Sequence, residues 1–459
     1  MRVVVCGAGN VGLSIAQYLG DAYDITLVDQ DSVVLAGVTD KLDVRTVTGH
    51  AGDPEVLKKA EAHRADIFIA VTGSDEVNIV ACQMAHALFD VQLKIARLRL
   101  MNTFAPSWFD PYKKSYLPID IVISAEEETA QEIIRHLKAP FASSVMSFFQ
   151  EKAYVLGIQL QADSPLLDYP IKHLDKVLGP LNASVVRVVR HKKAFIPATH
   201  HTLNAHDMVY ILVPAEQLEA FTRVAGYQED TTESILILGG GRTGLLLASH
   251  IEESYPSLSC VLIEYQNTQT RHLVSQLSNT IILQGDALDP MILEEAGVQL
   301  TDYVIAITDD DRVNILGSLL AKRYGAKRAI TMVQRQSYVS LMSSLNIEKP
   351  LNPSFLTISL ILQRVRKNYV VALHHLDDSV LATLMEIKLE QGAYAIGKTI
   401  ASINRLKEIR VFAVLRKGAL VPARDEEVLE EGDHLLIFSN KAHSKKIKHY
   451  FEPALNTSR

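Results

Sequence analysis

The chain has 459 residues, 48% of them hydrophobic and 22% charged, and 46 basic against 53 acidic residues give a net charge of −7. This length predicts about three domains, and the composition is that of a globular protein with large cores. The negative balance argues against nucleic acid as a partner, and no apolar run approaches the ~18 residues that a membrane-spanning helix needs. No signal peptide opens the chain, and its three cysteines form no CxxC pair. We therefore expect a cytoplasmic protein that reaches a membrane only through a partner.

Strand-like and helix-like segments alternate through the first part of the chain. The predicted strands are Arg2–Cys6, Asp24–Val28 and Ile67–Val71, and the predicted helices are Val11–Leu19, Pro54–Glu61 and Glu76–Phe89. Ser74 or Asp75 is placed to cap the last of these helices. Because the strands are continuously apolar and helices separate them, the pattern predicts a parallel sheet covered on both faces.

A glycine-rich turn joins the first strand to the first helix. In such a turn the first glycine permits a tight bend, the second lets backbone amides approach a pyrophosphate, and the third lets the helix pack closely on the sheet. The N-terminus of the helix adds partial positive charge. We define the first cradle as this turn together with the acidic residue that ends the second strand. It comprises Gly7, Ala8, Gly9, Asn10, Val11, Gly12 and Asp29.

The first cradle predicts a ligand that contains adenosine. Asp29 is placed to accept hydrogen bonds from both ribose hydroxyls and would repel a 2′-phosphate, which favours NAD(H) or an adenine nucleotide over NADP. The alternative is a glycine turn kept only for tight packing. Thr72, Gly73 and Arg97 follow later strands and should lie at the same edge of the sheet. Arg97 either reaches a phosphate or pairs with a surface carboxylate, and the sequence leaves both alternatives open.

The chain also contains an internal repeat. A shift of 232 residues lays the glycines of the first cradle onto a second glycine turn, and further segments pair after a small insertion. These segments are residues 47–57 with 283–293, and 65–81 with 301–317. The second segment pairs Asp66 with Asp302, Thr72 with Thr308, Asp75 with Asp311 and Asn78 with Asn314. The second cradle comprises Gly239, Gly240, Gly241, Arg242, Thr243, Gly244 and Glu264.

The ends of the two halves repeat more faintly, since residues 182–213 resemble residues 408–439. Both segments predict small β-rich domains, so the order along the chain is nucleotide domain, small domain, nucleotide domain, small domain. We expect these four domains at residues 1–125, 140–226, 232–350 and 368–453. Residues 353–368 predict a connecting helix whose apolar face needs a partner, and we expect that face to bind another subunit.

The residues that catalysis would require are missing. A dehydrogenase needs a proton donor or acceptor beside the nicotinamide. Tyr394 and Lys398 have the spacing found in short-chain dehydrogenases, but they lie outside either predicted sheet and beside glycines that oppose a helix. The histidines His200, His201 and His206 are interpreted as exposed loop residues, with a metal site as the alternative. An NAD-dependent oxidoreductase of unknown substrate is therefore the second hypothesis.

A duplicated dinucleotide-binding domain, each copy followed by a small β-rich domain, resembles the RCK or KTN proteins, which regulate potassium conductance. The resemblance covers essentially the whole chain and is weakest at residues 143–173. It implies an α/β fold with two Rossmann-like doubly wound parallel sheets, each followed by a small α+β domain of the RCK C-terminal type. The segments that carry it are GAGNVG, VTGHAGDPEVL, IAVTGSDEVN and LEEGDHLLIF.

The resemblance implies a regulatory protein rather than an enzyme. Its partner would be an integral membrane potassium transporter subunit, gated by NAD(H) and by adenine nucleotides such as ATP and ADP. Two domains per chain in a ring of eight would give a homotetramer. The ligand contacts carried over are Gly7–Val11, Asp29, Thr72, Gly73 and Arg97 in the first copy and Gly239–Thr243, Glu264 and Asp286 in the second. Two departures are His50, which stands where the second copy has Asp286, and His206, which replaces the turn glycine Gly432.

The two cradles differ in charge. Asn10 in the first turn is neutral, whereas Arg242 in the second places a guanidinium at the mouth of the phosphate site. An arginine there would favour an extra phosphate, so we expect the first cradle to prefer NAD(H) and the second to tolerate ATP or ADP better. The alternative is that Arg242 pairs with Asp286 or another nearby carboxylate.

Overall fold

The structure is a computed structural model. It describes residues 1–20, 23–39, 42–99, 118–167, 169–191, 193–227, 232–342, 345, 347, 349–365, 370–375, 383–406, 409–439 and 445–453. Residue 368, the predicted start of the second small domain, and residues 366–368 of the predicted connecting helix lie outside this set.

The first half of the chain opens with a six-stranded parallel sheet in the order β3-β2-β1-β4-β5-β6. Its elements are β1 (Arg2–Cys6), α1 (Asn10–Leu19), β2 (Asp24–Asp29), α2 (Ser32–Thr39), β3 (Arg45–Thr48), α3 (Pro54–Lys59), β4 (Ile67–Ala70), α4 (Asp75–Ala87), β5 (Leu93–Arg97) and β6 (Ile121–Ile123). The central strand β4 is buried along its whole length, as the continuous apolar pattern predicted. Ser74 caps α4, since its hydroxyl accepts a hydrogen bond from the amide of Val77 at 3.2 Å. The helix predicted to reach Glu61 ends earlier, because Glu61 adopts a left-handed conformation.

A small domain follows the first sheet. The helix α5 (Ala125–Lys138) leads into β7 (Ser144–Phe148), β8 (Ala153–Gln159), α6 (Ile171–Leu178), β9 (Ser184–Arg190), β10 (Lys193–Phe195), β11 (Met208–Pro214) and α7 (Leu218–Val224). The strands form an antiparallel sheet in the order β10-β9-β11-β8-β7. The helices α6 and α7 contribute Leu174 and Phe221 to the core beneath this sheet, so the domain is of the α+β type.

The second half repeats the first. Its nucleotide domain also has a parallel sheet with helices between the strands. The elements are β12 (Ser234–Leu238), α8 (Arg242–Ser254), β13 (Ser259–Glu264), α9 (Asn267–Gln276), β14 (Ile281–Gln284), α10 (Pro290–Glu295), β15 (Tyr303–Ala306), α11 (Asp311–Arg323), β16 (Arg328–Met332), α12 (Gln336–Met342) and β17 (Lys349–Leu351). The strand order β14-β13-β12-β15-β16-β17 matches that of the first sheet. Both sheets therefore have the doubly wound topology of dinucleotide-binding folds, as predicted.

The second small domain has the same topology as the first. After α13 (Pro353–Val365) come β18 (Val370–His375), β19 (Thr383–Lys388), α14 (Ile400–Asn404), β20 (Ile409–Arg416), β21 (Ala419–Pro422), β22 (His434–Ser439) and α15 (Lys445–Phe451). The sheet order is β18-β19-β22-β20-β21. Short 3₁₀ helices lie at Ala62–Arg64, Gly179–Leu181, Ala215–Gln217 and Val298–Leu300.

A buried ion pair occupies the same place in each small domain. Arg190 binds Asp207 through two hydrogen bonds of 2.9 and 2.7 Å, and Arg416 binds Asp433 through two of 2.8 Å. In the first domain His206 keeps the turn that Gly432 makes in the second, because its backbone adopts the same left-handed conformation with φ 67°. The replacement of a glycine by histidine therefore leaves this turn intact.

The two connecting helices are exchanged between the halves. Helix α5 follows the first sheet but buries Ile133 and Leu137 in the core of the second nucleotide domain, beside α8. Helix α13 follows the second sheet but buries Ile361 and Val365 in the core of the first nucleotide domain, beside α1. The expectation that the apolar face of this helix binds another subunit is wrong, because the first half of the same chain covers it.

The two small domains share an apolar interface. Phe148 and Phe149 from the first pack with Leu436 and Phe438 from the second. The buried carboxylate of Glu386 accepts a hydrogen bond from the Phe149 amide at 2.7 Å. Within the described ranges, no helix combines the length and the apolarity that crossing a bilayer requires.

Candidate nucleotide sites on either side of one cleft

The first cradle has the conformation that its glycines predicted. Gly7 has φ +108°, and a Cβ there would lie 2.9 Å from the backbone of Val71 and Thr72. A Cβ on Gly12 would lie only 1.8 Å from the carbonyl oxygen of Gly7. Backbone strain and helix packing therefore account for these two glycines without any ligand.

The middle glycine of the turn has a different explanation. Gly9 has φ −72°, which any residue adopts, and a Cβ there would meet no atom of the described chain within 4 Å. The second cradle repeats the contrast: a Cβ on Gly244 would lie 2.1 Å from the Gly239 carbonyl oxygen, while a Cβ on Gly241 would meet nothing. Tight packing alone thus explains the outer glycines of each turn but leaves the middle one unexplained. An open path for a ligand phosphate supplies the missing reason.

The carboxylates predicted to bind ribose are held by the cradles themselves. Asp29 accepts hydrogen bonds from the amides of Ala8 at 2.6 Å and Asp31 at 2.9 Å. Glu264 accepts the equivalent bonds from Gly240 at 2.8 Å and Gln266 at 2.7 Å. Each carboxylate oxygen has a further lone pair, so both side chains are oriented at the rim of a cradle and retain capacity for ribose hydroxyls.

Each cradle ends in an open helix N-terminus. Helix α1 begins after Gly9 and α8 begins after Gly241, and neither N-terminus has a side-chain cap. The first amides of both helices are therefore available to an anion, and the helix dipoles add partial positive charge there.

Thr72 was predicted to contact the ligand, and in the structure it also forms hydrogen bonds that hold neighbouring elements together. Its amide and hydroxyl both donate to the Oδ1 atom of Asn78, at 2.9 and 2.7 Å. The amide group of Asn78 donates in turn to the carbonyl of Arg97 at 2.8 Å. Asn78 is fully buried and thereby ties the ends of β4 and β5 to α4.

The same network occurs in the second copy, where Asn314 binds Thr308 and donates to the Met332 carbonyl at 3.0 Å. Neither asparagine was assigned a role from sequence. The signal was present, because the repeat pairs Asn78 with Asn314.

A cleft of about 710 Å³ separates the two nucleotide domains, and both cradles open into it. From the first domain it is lined by Gly9, Asn10, Val11, Thr72, Gly73, Arg97 and Arg99. From the second it is lined by Gly241, Arg242, Thr243 and Asp309. Burial lowers the pKa of Arg97, and its Nε atom has no hydrogen-bond partner among the described residues. Neither Arg97 nor Arg242 forms an ion pair in the part of the chain that the structure describes, so both guanidinium groups remain available to an anion.

Each cradle also has an adjoining cavity, of about 400 Å³ in the first copy and 540 Å³ in the second. The first cavity is lined by Asp29, His50, Thr72 and Gly73, and the second by Glu264, Asp286 and Asp309. The ring of His50 accepts a hydrogen bond from the Gly52 amide at 3.1 Å, just as Asp286 accepts one from Leu288 at 2.9 Å. His50 therefore preserves the loop, while the charge beside the ligand position changes.

The tyrosine-lysine pair and the loop histidines, which were not predicted to bind a nucleotide, lie away from both cradles. Tyr394 is half-exposed on the second small domain, with the Lys398 amino group 4.0 Å above its ring and Gly397 in a left-handed turn between them. His200 and His201 lie with their ring centres 4.4 Å apart in a loop of the first small domain. Among the described residues, no group of three or more histidine, cysteine, aspartate or glutamate side chains could hold a metal ion.

Comparisons with known proteins identify the same two kinds of unit. The TrkA-N domain model matches residues 3–103 and 235–353, and the TrkA-C domain model matches residues 384–452. Among curated proteins, the Trk system potassium uptake protein TrkA of Azorhizobium caulinodans is 34% identical over 99% of both chains. The protein of the same name from Vibrio alginolyticus is 31% identical over 99% of both chains.

Solved structures share the fold at much lower identity. A structure described as the GsuK RCK domain has a TM-score of 0.60 and 16% identity, covering 97% of this chain and 93% of that one. A second, described as the GsuK channel bound to NAD, has a TM-score of 0.59 and 16% identity, covering 97% and 78%. Because two TrkA-N matches and one TrkA-C match span most of a chain that also aligns end to end with curated relatives, the protein belongs to the TrkA family.

Proposed function

We propose that this protein is the cytoplasmic, nucleotide-binding regulatory subunit of a bacterial Trk-type potassium uptake system. It would lie on the inner face of the membrane, bound to a potassium-translocating subunit of the TrkH or TrkG type, and would gate that subunit on binding NAD(H), ATP or ADP. The observation that carries the proposal is the middle glycine of each cradle, which neither packing nor backbone conformation requires. The assignment to a potassium uptake system rests on family membership, because the curated relatives are named Trk system potassium uptake protein TrkA.

The residues proposed to hold the nucleotide are those of the two cradles and their rims. In the first copy they are Gly7, Ala8, Gly9, Asn10, Val11, Gly12, Asp29, Thr72, Gly73 and Arg97. In the second they are Gly239, Gly240, Gly241, Arg242, Thr243, Gly244, Glu264 and Asp286. The open helix N-termini support an anionic ligand, as does Arg97, whose buried Nε atom has no hydrogen-bond partner among the described residues.

The proposed gating follows from the exchanged helices. A ligand does work on a partner only by favouring one arrangement of coupled domains. Both cradles open into one cleft, and the helices α5 and α13 beside that cleft are each anchored in the opposite nucleotide domain. A nucleotide that changes the width of the cleft would therefore move both halves together, along with the small domains that follow these helices.

The proposed assembly is a homotetramer of chains whose domains sit at residues 1–125, 140–226, 232–350 and 368–453. Closed rotational symmetry would suit a symmetric membrane partner. Light scattering should show four chains per particle at micromolar concentration. A monomer both with and without nucleotide would contradict this assembly.

The central test is recovery of the partner from native membranes. Affinity purification of the full chain should bring down an integral potassium transporter, and adding NADH or ATP should change potassium flux through the pair after reconstitution in vesicles. Gly9→Val combined with Gly241→Val should abolish the nucleotide response but keep the partner, because a Cβ atom at either position enters open space with no described atom within 4 Å. Gly37→Val on α2, where a Cβ also meets nothing within 4 Å, is the matched control. Purification without any potassium transporter would contradict the proposal.

The second candidate function, an NAD-dependent oxidoreductase, can be tested directly by an absorbance assay. NADH mixed with the protein and a panel of oxo acids and aldehydes should show no substrate-dependent loss of absorbance. The pair Tyr394 and Lys398 lines neither cradle cavity nor the cleft, which argues against its use as a proton donor beside a nicotinamide. Oxidation above the blank would favour the enzyme over the regulatory subunit.

A further inference from the structure

The cavities beside the two cradles differ sharply in charge. In the described part of the chain, the first cavity is lined by one carboxylate, Asp29, and by His50. The second is lined by the carboxylates of Glu264, Asp286, Asp309 and Asp310, with no lysine, arginine or histidine among its described lining residues. The repeat shows where the difference arises, because Asp286, Asp309 and Asp310 stand in place of His50, Gly73 and Ser74.

Most of this negative charge is uncompensated. Asp310 forms an ion pair with Arg312 at the rim. Glu264, Asp286 and Asp309 form none with any described residue; Asp286 accepts one backbone hydrogen bond, from Leu288 at 2.9 Å. A ligand phosphate placed beside these carboxylates would meet like charge, which lowers affinity more as the ligand carries more phosphates.

The positive charge of the region lies in the cleft between the two domains, which the carboxylates of Glu126 and Asp309 also line. The cleft adjoins the first cavity along Gly9, Val71, Thr72 and Gly73, and it adjoins the second along Gly241, Gln269 and Asp309. Arg97 and Arg99 reach this cleft from the end of β5. Arg242 joins them from the second domain, and all three guanidinium groups line the cleft rather than either adjoining cavity. The guanidinium that the sequence analysis assigned to the second cradle therefore shares one space with the mouth of the first.

We propose that the first cradle is the site for a phosphate-rich adenine nucleotide, whose terminal phosphates enter the cleft beside Arg97, Arg99 and Arg242. The second cradle discriminates against such ligands and takes an adenosine compound with little phosphate charge, of which NADH is the model. This division rests on the proposed function, in that both cradles must bind nucleotides. It reverses the preference expected from the turn sequences alone, because the carboxylates that create it lie on other loops.

Calorimetry on the full chain tests the division with one cradle blocked at a time. Gly241→Val leaves the first cradle open and Gly9→Val leaves the second cradle open. A Cβ atom at either position would meet no described atom within 4 Å. ATP and NADH are titrated separately into each variant in EDTA, so that no divalent cation masks the phosphate charge. We expect the ratio of ATP affinity to NADH affinity to be at least tenfold higher for Gly241→Val, which corresponds to about 1.4 kcal/mol. Equal ratios, or the opposite order, would overturn the inference.

Exchanging residues between the repeats tests the cause. In the Gly9→Val background, Asp309→Gly together with Asp286→His should raise the ratio of ATP affinity to NADH affinity at least threefold. Glu294→Gln, which alters charge on α10 outside the cavity lining, is the control and should leave this ratio unchanged. Added salt should shrink the difference between the cradles, because these charges are exposed to solvent. An exchange without effect on this ratio would refute the electrostatic cause.

The outcomes separate this inference from the function on which it rests. If the unaltered protein binds neither ATP nor NADH, the proposed nucleotide regulation fails and this inference fails with it. If the unaltered protein binds both, but the two blocked variants rank them alike, only the division between the cradles is refuted.

Discussion

Truncating Ile361 to alanine tests whether the connecting helix of the second half is a structural part of the first. Ile361 lies on α13, is fully buried and packs in the core that contains Val3 and Ile15. Removing a buried isoleucine side chain down to its Cβ costs about 2–5 kcal/mol, since a cavity remains in a core that collapses only in part. At about 1.4 kcal/mol per factor of ten, amide hydrogen exchange in the affected unit should accelerate about 30- to 4,000-fold.

The location of the faster exchange is the decisive observation. For Ile361→Ala we expect it in β1 and α1, at the opposite end of the chain from the substitution. The mirror variant Ile133→Ala on α5 should instead release β12 and α8, because Ile133 is fully buried in the core with Ile237 and Leu247. Exchange that accelerates only in α13 and the second small domain for Ile361→Ala would refute the argument that the helices are exchanged.

Three further predictions concern single side chains. Gly12→Ala should lower the free energy of unfolding by about 3 kcal/mol or more, because its Cβ would lie 1.8 Å from a backbone oxygen. Gly9→Ala should leave the midpoint of thermal unfolding unchanged, because its Cβ would meet no described atom within 4 Å. Equal midpoints for the two variants would contradict this prediction. Asn78→Ala should lower the free energy of unfolding, measured by urea denaturation, by about 2 kcal/mol, since it leaves the half-buried Thr72 amide and Arg97 carbonyl without their partner. Asn314→Ala should have the same effect in the second copy. Burial raises the pKa of Glu132, but hydrogen bonds from His136 and Arg135 outweigh it and lower the pKa from 4.5 to about 2. Because a depressed carboxyl pKa stabilises the fold above pH 4.5 and this contribution is lost as the pH falls towards 2, Glu132→Gln should flatten the decline of stability across that window; an unchanged slope would refute the assignment.

The elements of each nucleotide domain could be predicted because their signals are local. The apolar run at Arg2–Cys6, the glycines of the turn and the cap at Ser74 each act within a few residues, so composition and spacing identify them. The acidic residues Asp29 and Glu264 could be placed at the cradles for the same reason, since strand, turn and helix have nearly fixed lengths in this fold.

The relation between the halves could not be predicted in the same way. The amphipathic pattern of α13 shows that one face is buried, but a pattern does not name the surface that buries it, and the expected partner was wrong. Arg242 presents the same difficulty, because its position in the turn is set locally while the space its side chain lines belongs to two domains. The repeat pairs Asn78 with Asn314, but the pairing alone does not show which backbone groups their amides contact, so their role could not be predicted.

The exchanged helices also bear on how such a chain could arise. A single half produced alone would leave the apolar face of its α1 or α8 uncovered, and it could satisfy that face only by trading helices with a second identical copy. The ancestral unit is then most simply a symmetric pair of short chains, which gene duplication and fusion joined end to end. Before fusion any mutation would alter both binding pockets at once. After fusion each pocket could vary alone, and the two copies do differ, with His50 paired with Asp286 and Gly73 paired with Asp309. Joining the pair therefore released its two pockets from enforced identity while preserving the exchange of helices between the halves.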